Sequence, residues 1–141
     1  MTEHTVEEQL ASSIKELTAI EAKWGQDHPE LVNTLSRIGS LYWDAGQFAK
    51  AVTYGEKVLN IIENQLGPND FQVVTSAENL IAGLVKIRQF AKAMKIRNQI
   101  FKQLDKSHPR FAYFQALKAY IAKESTKSGF RPPSRRKKKK G

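Results

Sequence analysis

The sequence predicts an all-α protein built from a repeated pair of helices. The stretch Gln-Phe-Ala-Lys-Ala at residues 47–51 returns unchanged at residues 89–93, which is 42 residues later. Apolar positions outside the two copies also match at this spacing, for example Leu35 with Ala77. A fixed period of roughly 20–50 residues is typical of stacked repeats, each of which buries its apolar face against its neighbours. Glycine and proline breaks separate six helical patterns, so we expect about six antiparallel helices.

The first helix is predicted over residues 5–24. Thr5 and Glu8 fit a capping box, in which each side chain accepts a hydrogen bond from a backbone N–H of the first turn. Gly25 ends the helix, because glycine adopts a left-handed C-terminal conformation at little cost. Apolar residues recur at steps of three or four, so we expect one inward face made of Val6, Leu10, Ile14, Leu17 and Ile20.

The first helix pair is predicted at residues 29–44 and 48–65. His28-Pro29 opens it, since proline is tolerated in a first turn, where the N–H that it lacks has no partner. The turn at residues 45–47 is short, so the second helix must return antiparallel to the first. The expected inward residues are Leu31, Leu35, Ile38, Leu41 and Tyr42, followed by Ala51, Tyr54, Val58, Leu59 and Ile62.

The second pair is predicted at residues 71–86 and 90–104, and a last helix at 109–124. The second helix of this pair is about one turn shorter than its counterpart. Residues 1–125 then form one helical domain, with the first and last helices as caps. The expected inward residues are Val74, Ala77, Leu80, Ile81, Leu84, Ala93, Ile96, Ile100, Phe101 and Leu104, and in the last helix Phe111, Phe114, Leu117, Tyr120 and Ile121.

The C-terminal segment, residues 126–141, lacks helical periodicity. Its eight positive charges, Pro-Pro pair and two glycines predict a disordered basic tail. Such a tail can neutralise RNA or DNA phosphates, contact anionic lipid, act as a nuclear address in a eukaryotic host, or only solubilise the chain. The residues expected to contact an anionic partner are Arg131, Arg135, Arg136, Lys137, Lys138, Lys139 and Lys140.

The charge of the chain is divided between its two halves. The net charge of +9 is the sum of −6 over residues 1–70 and +15 over residues 71–141. A chain with opposite charges at its two ends can bind an anionic partner at one end. It can also associate head to tail with another copy through salt-sensitive contacts.

Several function classes lack their sequence signatures. The chain has no cysteine, and its three histidines are far apart, two of them in His-Pro pairs that favour capping or turn roles over metal or acid–base roles. We therefore expect no catalytic residue, no metal ligand and no cofactor, and the protein is not expected to be an enzyme. The chain has no apolar run that spans a bilayer and no apolar signal segment, which favours a cytoplasmic protein, or a nuclear one in a eukaryote.

The repeated helix pair resembles a tetratricopeptide repeat. The resemblance rests on small residues at Gly39 and Ala51, on Tyr42 between them and on the glycine turn. The 42-residue length, the His-Pro opening and the Leu-Gly closing are similar to the long repeats of kinesin light chains and related bacterial proteins. The resemblance covers about residues 10–124 and implies a right-handed α-α superhelix, although Ile81 and Leu84 replace the glycine and the tyrosine in the second repeat.

In that family the first helix of each pair lines a groove that holds a peptide. The resemblance therefore implies a protein-binding adaptor or scaffold, and Arg37 and Lys86 favour an acidic peptide. The alternative is a nucleic-acid-binding protein that uses the basic half and the tail. Trp24 and Trp43 are expected to pack between helices, or Trp43 to face the groove as an anchor. The implied groove residues are Asn33, Arg37, Ser40, Asp44, Thr75, Asn79, Ala82, Lys86 and Gln115.

Overall fold

The computed structural model describes residues 4–127, which form α-helices and one short 3-10 helix and contain no strand. In this range the element bounds lie within two residues of the predicted ones, apart from a first turn of the second helix that is 3-10. The elements are α1 (Val6–Trp24), the 3-10 turn (Pro29–Leu31), α2 (Val32–Asp44), α3 (Phe48–Leu66), α4 (Phe71–Lys86), α5 (Phe90–Gln103) and α6 (Phe111–Thr126). The seven basic residues predicted to bind an anionic partner lie outside the described residues.

The helices pack in the order in which they occur in the chain. Each of α1 to α5 contacts the helix that follows it, and α4 also contacts α6. The buried apolar residues of α1 to α6 form one cluster, so residues 4–127 share a single core. A chain whose helices contact mainly their sequence neighbours is organised like a stack of helix pairs.

The same side-chain hydrogen bond occurs at two helix starts and in the turn before α6. His28, Asp70 and His108 each accept a hydrogen bond from the backbone N–H two residues further on, at 3.1, 2.8 and 3.0 Å. The first turn of a helix leaves backbone N–H groups without partners, and His28 and Asp70 satisfy one at the starts of the 3-10 turn and of α4. His108 makes the same bond in the turn before α6. The three side chains are 42 and 38 residues apart, and α5 is correspondingly shorter than α3, with 14 residues against 19. The predicted capping or turn roles of the two histidines are confirmed, with His28 as a cap and His108 in a turn.

The turns after α2 and α4 have the same geometry. In each, the N–H of the glutamine that begins Gln-Phe-Ala-Lys-Ala donates to the carbonyl oxygen five residues earlier, at 2.9 and 2.8 Å. The preceding residue adopts a left-handed conformation, with φ of +78° at Gly46 and +60° at Arg88. This is a Schellman motif, which ends a helix and satisfies its last carbonyl groups. The two copies of the motif therefore turn the chain in the same way, although one uses arginine.

Two residues that we expected to face inward are exposed. Ile14 is 37% exposed because the buried face of α1 runs through Leu10, Ser13 and Leu17. Tyr120 is 48% exposed because the buried face of α6 runs through Phe114, Leu117 and Ile121. In both helices, apolar residues that recur every three or four positions are compatible with either of two adjacent buried faces. The packing buries the face that excludes Ile14 in α1 and Tyr120 in α6. The residues that are buried although we did not expect them to be include Ser13, Thr34, Val52, Ile61, Val73 and Arg97.

Trp24 does not pack between helices as expected. It lies exposed at the end of α1 and stacks on the His28 ring, with 4.4 Å between the ring centroids. This stack joins the end of α1 to the cap of the 3-10 turn.

Candidate binding grooves between the helix pairs

A first cavity of about 450 Å³ lies between α2, α3 and α4. Its lining residues are all uncharged, and many of them are small: Ser36, Gly39, Ser40, Gly55, Ser76 and Gly83. Trp43 and Tyr54 supply larger walls. Burial raises the pKa of the Tyr54 phenol, with a further contribution from Tyr42, so this group stays neutral. The first cavity is thus a half-open space with mixed apolar and hydroxyl walls.

A second cavity of about 720 Å³ lies between α4 and α6. Trp43, Tyr113 and Tyr120 border it and are 38%, 45% and 48% exposed. The second cavity shares Trp43 and Ala82 with the first, so the two lie side by side across α4. We call the two cavities together the groove.

The two cavities use equivalent positions of the repeat. The α2 residues Ser36, Gly39, Ser40 and Trp43 line the first cavity. The residues 42 positions later, which are Glu78, Ile81, Ala82 and Val85, line the second. The same face of α2 and α4 therefore borders the groove in both repeats.

Both carboxylates in the second cavity are paired. Glu78 accepts two hydrogen bonds from Arg110, at 2.6 and 2.9 Å, and this pairing raises the pKa of the Arg110 guanidinium. Glu124 accepts a hydrogen bond from Lys127 at 2.9 Å, which raises the pKa of that ammonium group. A bidentate pair also fixes geometry, so Glu78 holds Arg110 over the ring of Tyr113, with 4.3 Å between them.

Two cations of the second cavity have aromatic neighbours. Lys86 lies over the ring of Phe48 at 5.3 Å, and Arg88 lies over the ring of Phe90 at 5.0 Å. Within residues 4–127, neither has a carboxylate at salt-bridge distance. The lining of the second cavity thus carries two positive charges that its own acids do not neutralise, and these charges attract anionic groups.

Arg97 joins α5 to α6, the helix that borders the second cavity. Its Nε donates to the carbonyl oxygen of Phe114 at 2.9 Å and its Nη2 to that of Gln115 at 3.2 Å. The guanidinium also lies 4.2 Å from the centroid of the Phe101 ring. Burial lowers the pKa of Arg97, since a low-dielectric environment disfavours the charged form. From the sequence we expected Arg97 to lie with Lys92, Lys95 and Lys102 on an outer basic surface of α5 for an acidic partner, since arginine is mostly exposed on helices. This prediction is wrong for Arg97, because its side chain is buried against α6.

Four of the nine residues implied to line the groove do so. Ser40, Asn79 and Ala82 line the first cavity, and Ala82 and Lys86 line the second. Arg37 donates instead to Glu16 of α1 at 2.8 Å, which directs its charge away from the groove. The other residues outside both linings are Asn33, Asp44, Thr75 and Gln115.

Sequence reasoning missed the aromatic residues of α6. Tyr113 and Tyr120 are seven residues apart, so they lie on one face two turns apart. That spacing was a usable signal, but Tyr120 was assigned to the core. Trp43 combines both roles considered for it, because it borders both cavities and packs edge-on against Phe48, with 4.8 Å between the centroids.

A scan against protein-family models gave no match. A search of curated proteins also gave none. None of the helices in residues 4–127 is long and apolar enough to cross a membrane. The same residues contain no group of three or more acidic or histidine side chains that could hold a metal ion.

Proposed function

We propose that the protein is a tetratricopeptide-type adaptor that binds a peptide segment of a partner protein in the groove and catalyses no reaction. The 42-residue period, the small residues Gly39 and Ala51 between paired helices, and the two matching Schellman turns support this proposal. In the proposed arrangement, the helix pairs form a right-handed superhelix, with α2, α4 and α6 on its inner side.

The observation that carries the proposal is the exposed aromatic lining of the second cavity. Trp43, Tyr113 and Tyr120 each leave more than a third of their surface open to solvent around one cavity. Tryptophan and tyrosine dominate the binding energy of protein interfaces, and exposed apolar surface bordered by polar groups marks interaction sites. A protein partner can cover these rings, which otherwise remain in water.

Charge favours an acidic segment as the ligand. Lys86 and Arg88 are unneutralised within residues 4–127, and an acidic side chain beside them gains electrostatic attraction. The basic residues of the tail, from Arg131 to Lys140, extend this attraction to a longer acidic partner. Such electrostatic contacts increase the association rate of the peptide and fix its register in the groove more than they raise its affinity.

The groove is tested with the full chain and a displayed library of random 12-residue peptides. We expect selected peptides to bind, and the double substitution Tyr113→Ala with Tyr120→Ala to weaken them at least about tenfold, since aromatic hot spots carry about 2 kcal/mol or more. Fluorescence anisotropy of labelled peptides measures the affinity.

Phe71→Ala is the matched control, because Phe71 is 60% exposed and lies outside both cavities. It should leave the affinity unchanged. If no peptide is selected, or if the double variant binds as tightly as the original chain, the groove is not the binding site.

A second candidate function is nucleic-acid binding by the basic half of the protein. Residues 71–127 carry eleven basic and three acidic residues. The α5 residues Lys95 and Lys102 are exposed on one shallow surface with Asn98 and Gln99. Binding of a 20-nucleotide RNA or DNA through this surface and the tail should weaken steeply as salt rises. Removal of residues 128–141 should lower both the affinity and the salt dependence, and the absence of salt-dependent binding would exclude this function.

A further inference from the structure

The charged α4 side chains of the second cavity lie at two separate places along the helix. Glu78 is the first α4 residue in the lining and Lys86 is the last, and Arg88 follows in the turn after α4. At the rise of an α-helix, the distance from Glu78 to Lys86 is about 12 Å along the axis. We call these two places the Glu78 end and the Lys86 end of the second cavity.

The Glu78 end carries no net charge. Both carboxylate oxygens of Glu78 accept hydrogen bonds from the Arg110 guanidinium, at 2.6 and 2.9 Å. The Glu78 side chain is only 15% exposed, and the Tyr113 ring lies 4.3 Å from the same guanidinium. A second carboxylate at this end would lose hydration beside a cation that is already neutralised, which is unfavourable. Uncharged ligand groups do not have this cost.

The Lys86 end is cationic. Lys86 and Arg88 each lie over a phenylalanine ring, at 5.3 and 5.0 Å from its centroid, and such a ring does not neutralise them. The other carboxylate of the lining, that of Glu124, accepts a hydrogen bond from Lys127 at 2.9 Å. The two cations therefore remain without an acidic partner among the described residues, and they attract a carboxylate from a ligand.

We infer that Glu78 is a specificity-determining residue for the peptide bound in the groove. By holding Arg110 in a neutral pair, it restricts the acidic residue of the ligand to the Lys86 end and leaves the Glu78 end to an uncharged residue. An extended chain rises about 3.3 Å per residue, so these two ligand residues are about three or four positions apart. This inference rests on the proposed function and adds where along the second cavity the ligand carries its charge.

Glu78 belongs to the second repeat and not to the shared repeat plan. The residue 42 positions earlier is Ser36, which lies in the uncharged lining of the first cavity. Taking a carboxylate and a guanidinium out of water is costly, and such a pair is often no better for stability than apolar residues. The consequence of this pair that a ligand meets is its effect on charge, since without Glu78 the Arg110 guanidinium would be a third unneutralised cation beside the cavity.

The difference between the two ends is tested by nuclear magnetic resonance on the isotope-labelled full chain. The probe is N-acetyl-aspartate amide, and N-acetyl-asparagine amide is its uncharged match. We expect the aspartate probe alone to shift the backbone amide signals of Lys86 and Arg88 in a saturable way, and those of Glu78 and Arg110 much less. Equal shifts at the two ends, or no saturable shift at Lys86 and Arg88, would overturn the inference.

The specificity is tested with three pools of labelled five-residue peptides, acetylated and amidated, whose random positions hold uncharged residues. The pools carry no aspartate, one aspartate at either terminus, or one at each terminus. Fluorescence anisotropy is recorded at about 0.15 M salt, which screens distant charges. The original chain should bind the one-aspartate pool about tenfold more tightly than the uncharged pool, because hydrogen bonds to charged groups are strong. It should bind the two-aspartate pool no more tightly than the one-aspartate pool.

The substitution Glu78→Gln frees Arg110 and should make the two-aspartate pool bind about tenfold more tightly than the one-aspartate pool. Adding Arg110→Gln should abolish this gain. Glu56→Gln is the matched control, because it removes the carboxylate of another ion pair, with Lys92 at 3.1 Å, outside both cavities. It should keep the preferences of the original chain. If Glu78→Gln is folded in a thermal melt and also keeps them, Glu78 only joins α4 to α6 and the inference is wrong.

The inference and the proposed function fail in different ways. If the original chain binds the pools but prefers two aspartates to one, the role of Glu78 is excluded while peptide binding in the groove stands. If no pool binds and no peptide is selected from the library, the proposed function is wrong. A shift of the Lys86 and Arg88 signals by the aspartate probe would then still establish the neutral and cationic ends. This measurement on the original chain also decides the question if Glu78→Gln does not fold.

Discussion

The cavity between the first helix pair and α4 has an uncharged lining, whereas the lining of the cavity between α4 and α6 includes charged and aromatic side chains. Both follow the same backbone plan, with matched Schellman turns. They differ at equivalent positions 42 residues apart, of which Ser36 against Glu78 and Gly39 against Ile81 are the clearest. A repeated backbone therefore fixes where a cavity lies, and the residues at these positions decide the chemistry of its lining.

The largest effect is expected from substituting one residue in the lining of each cavity. Leu117→Asn should lower the free energy of unfolding by about 3 kcal/mol, because it removes buried apolar volume and leaves an amide without partners. Asn79→Leu should raise it by about 0.5–1 kcal/mol, because Asn79 borders open space that a leucine can partly fill. Urea denaturation monitored by circular dichroism measures both. Effects of the same sign and size would show that Leu117 and Asn79 are packed alike.

The next largest effect is expected for Arg97→Ala, which removes the hydrogen bonds from α5 to the backbone of α6 and opens a gap between them. We expect a loss of about 2–3 kcal/mol in the free energy of unfolding. Lys95→Ala on the same helix is the control, and its exposed side chain should change the stability by less than about 0.5 kcal/mol. A loss for Arg97→Ala no larger than that of the control would mean that Arg97 does not hold α6.

Two glycines give a paired test of close approach around the first cavity. Gly83→Ala should destabilise the protein by about 1 kcal/mol, because its Cβ would lie 2.9 Å from Val52 and the cost of overpacking exceeds the gain in helix propensity. Gly55→Ala should stabilise it by about 0.5–1 kcal/mol, since its Cβ would meet only Leu80, at an ordinary 3.6 Å. Thermal melts of both variants check the signs. Stabilisation by Gly83→Ala would show that α4 can move away from α3.

The smallest effect concerns the turn in which the two repeats differ. Arg88 adopts φ of +60°, a conformation that costs a residue with a Cβ roughly 1 kcal/mol. Arg88→Gly should therefore raise the free energy of unfolding by about 0.5 kcal/mol, after loss of its contact with the Phe90 ring. The reverse change in the first repeat, Gly46→Ala, should lower the free energy of unfolding by about 1 kcal/mol. Chemical denaturation of the two variants tests whether both turns impose the same backbone.

The helix bounds could be predicted because local signals mark them. Thr5 caps α1 with the expected capping box, with hydrogen bonds of 3.0 and 3.1 Å to Glu8, and Gly67 ends α3 with φ of +86°. Such signals act within a few residues and need no information about the rest of the chain. The one-turn deletion in the second repeat was also visible in the sequence, and the lengths of α3 and α5, which are 19 and 14 residues, agree with it.

The groove face could be predicted only in part. Arg37 and Ser40 are three residues apart, yet Ser40 lines the first cavity and Arg37 pairs with Glu16. The boundary between these two environments depends on how far each helix is rotated against its neighbours. That rotation is set by packing over the whole interface, which helical periodicity alone does not specify.

The sequence by itself determined that this chain repeats a helix pair, where each helix begins and ends, and how its charge divides. These features depend on caps, turns and periodicity, which act over short distances. Only the tertiary structure decided that Tyr113 and Tyr120 face a cavity, that Arg97 is buried, and that the first cavity has an uncharged lining. Those outcomes depend on side-chain volumes brought together from different helices, and the order of residues along one helix does not contain that information.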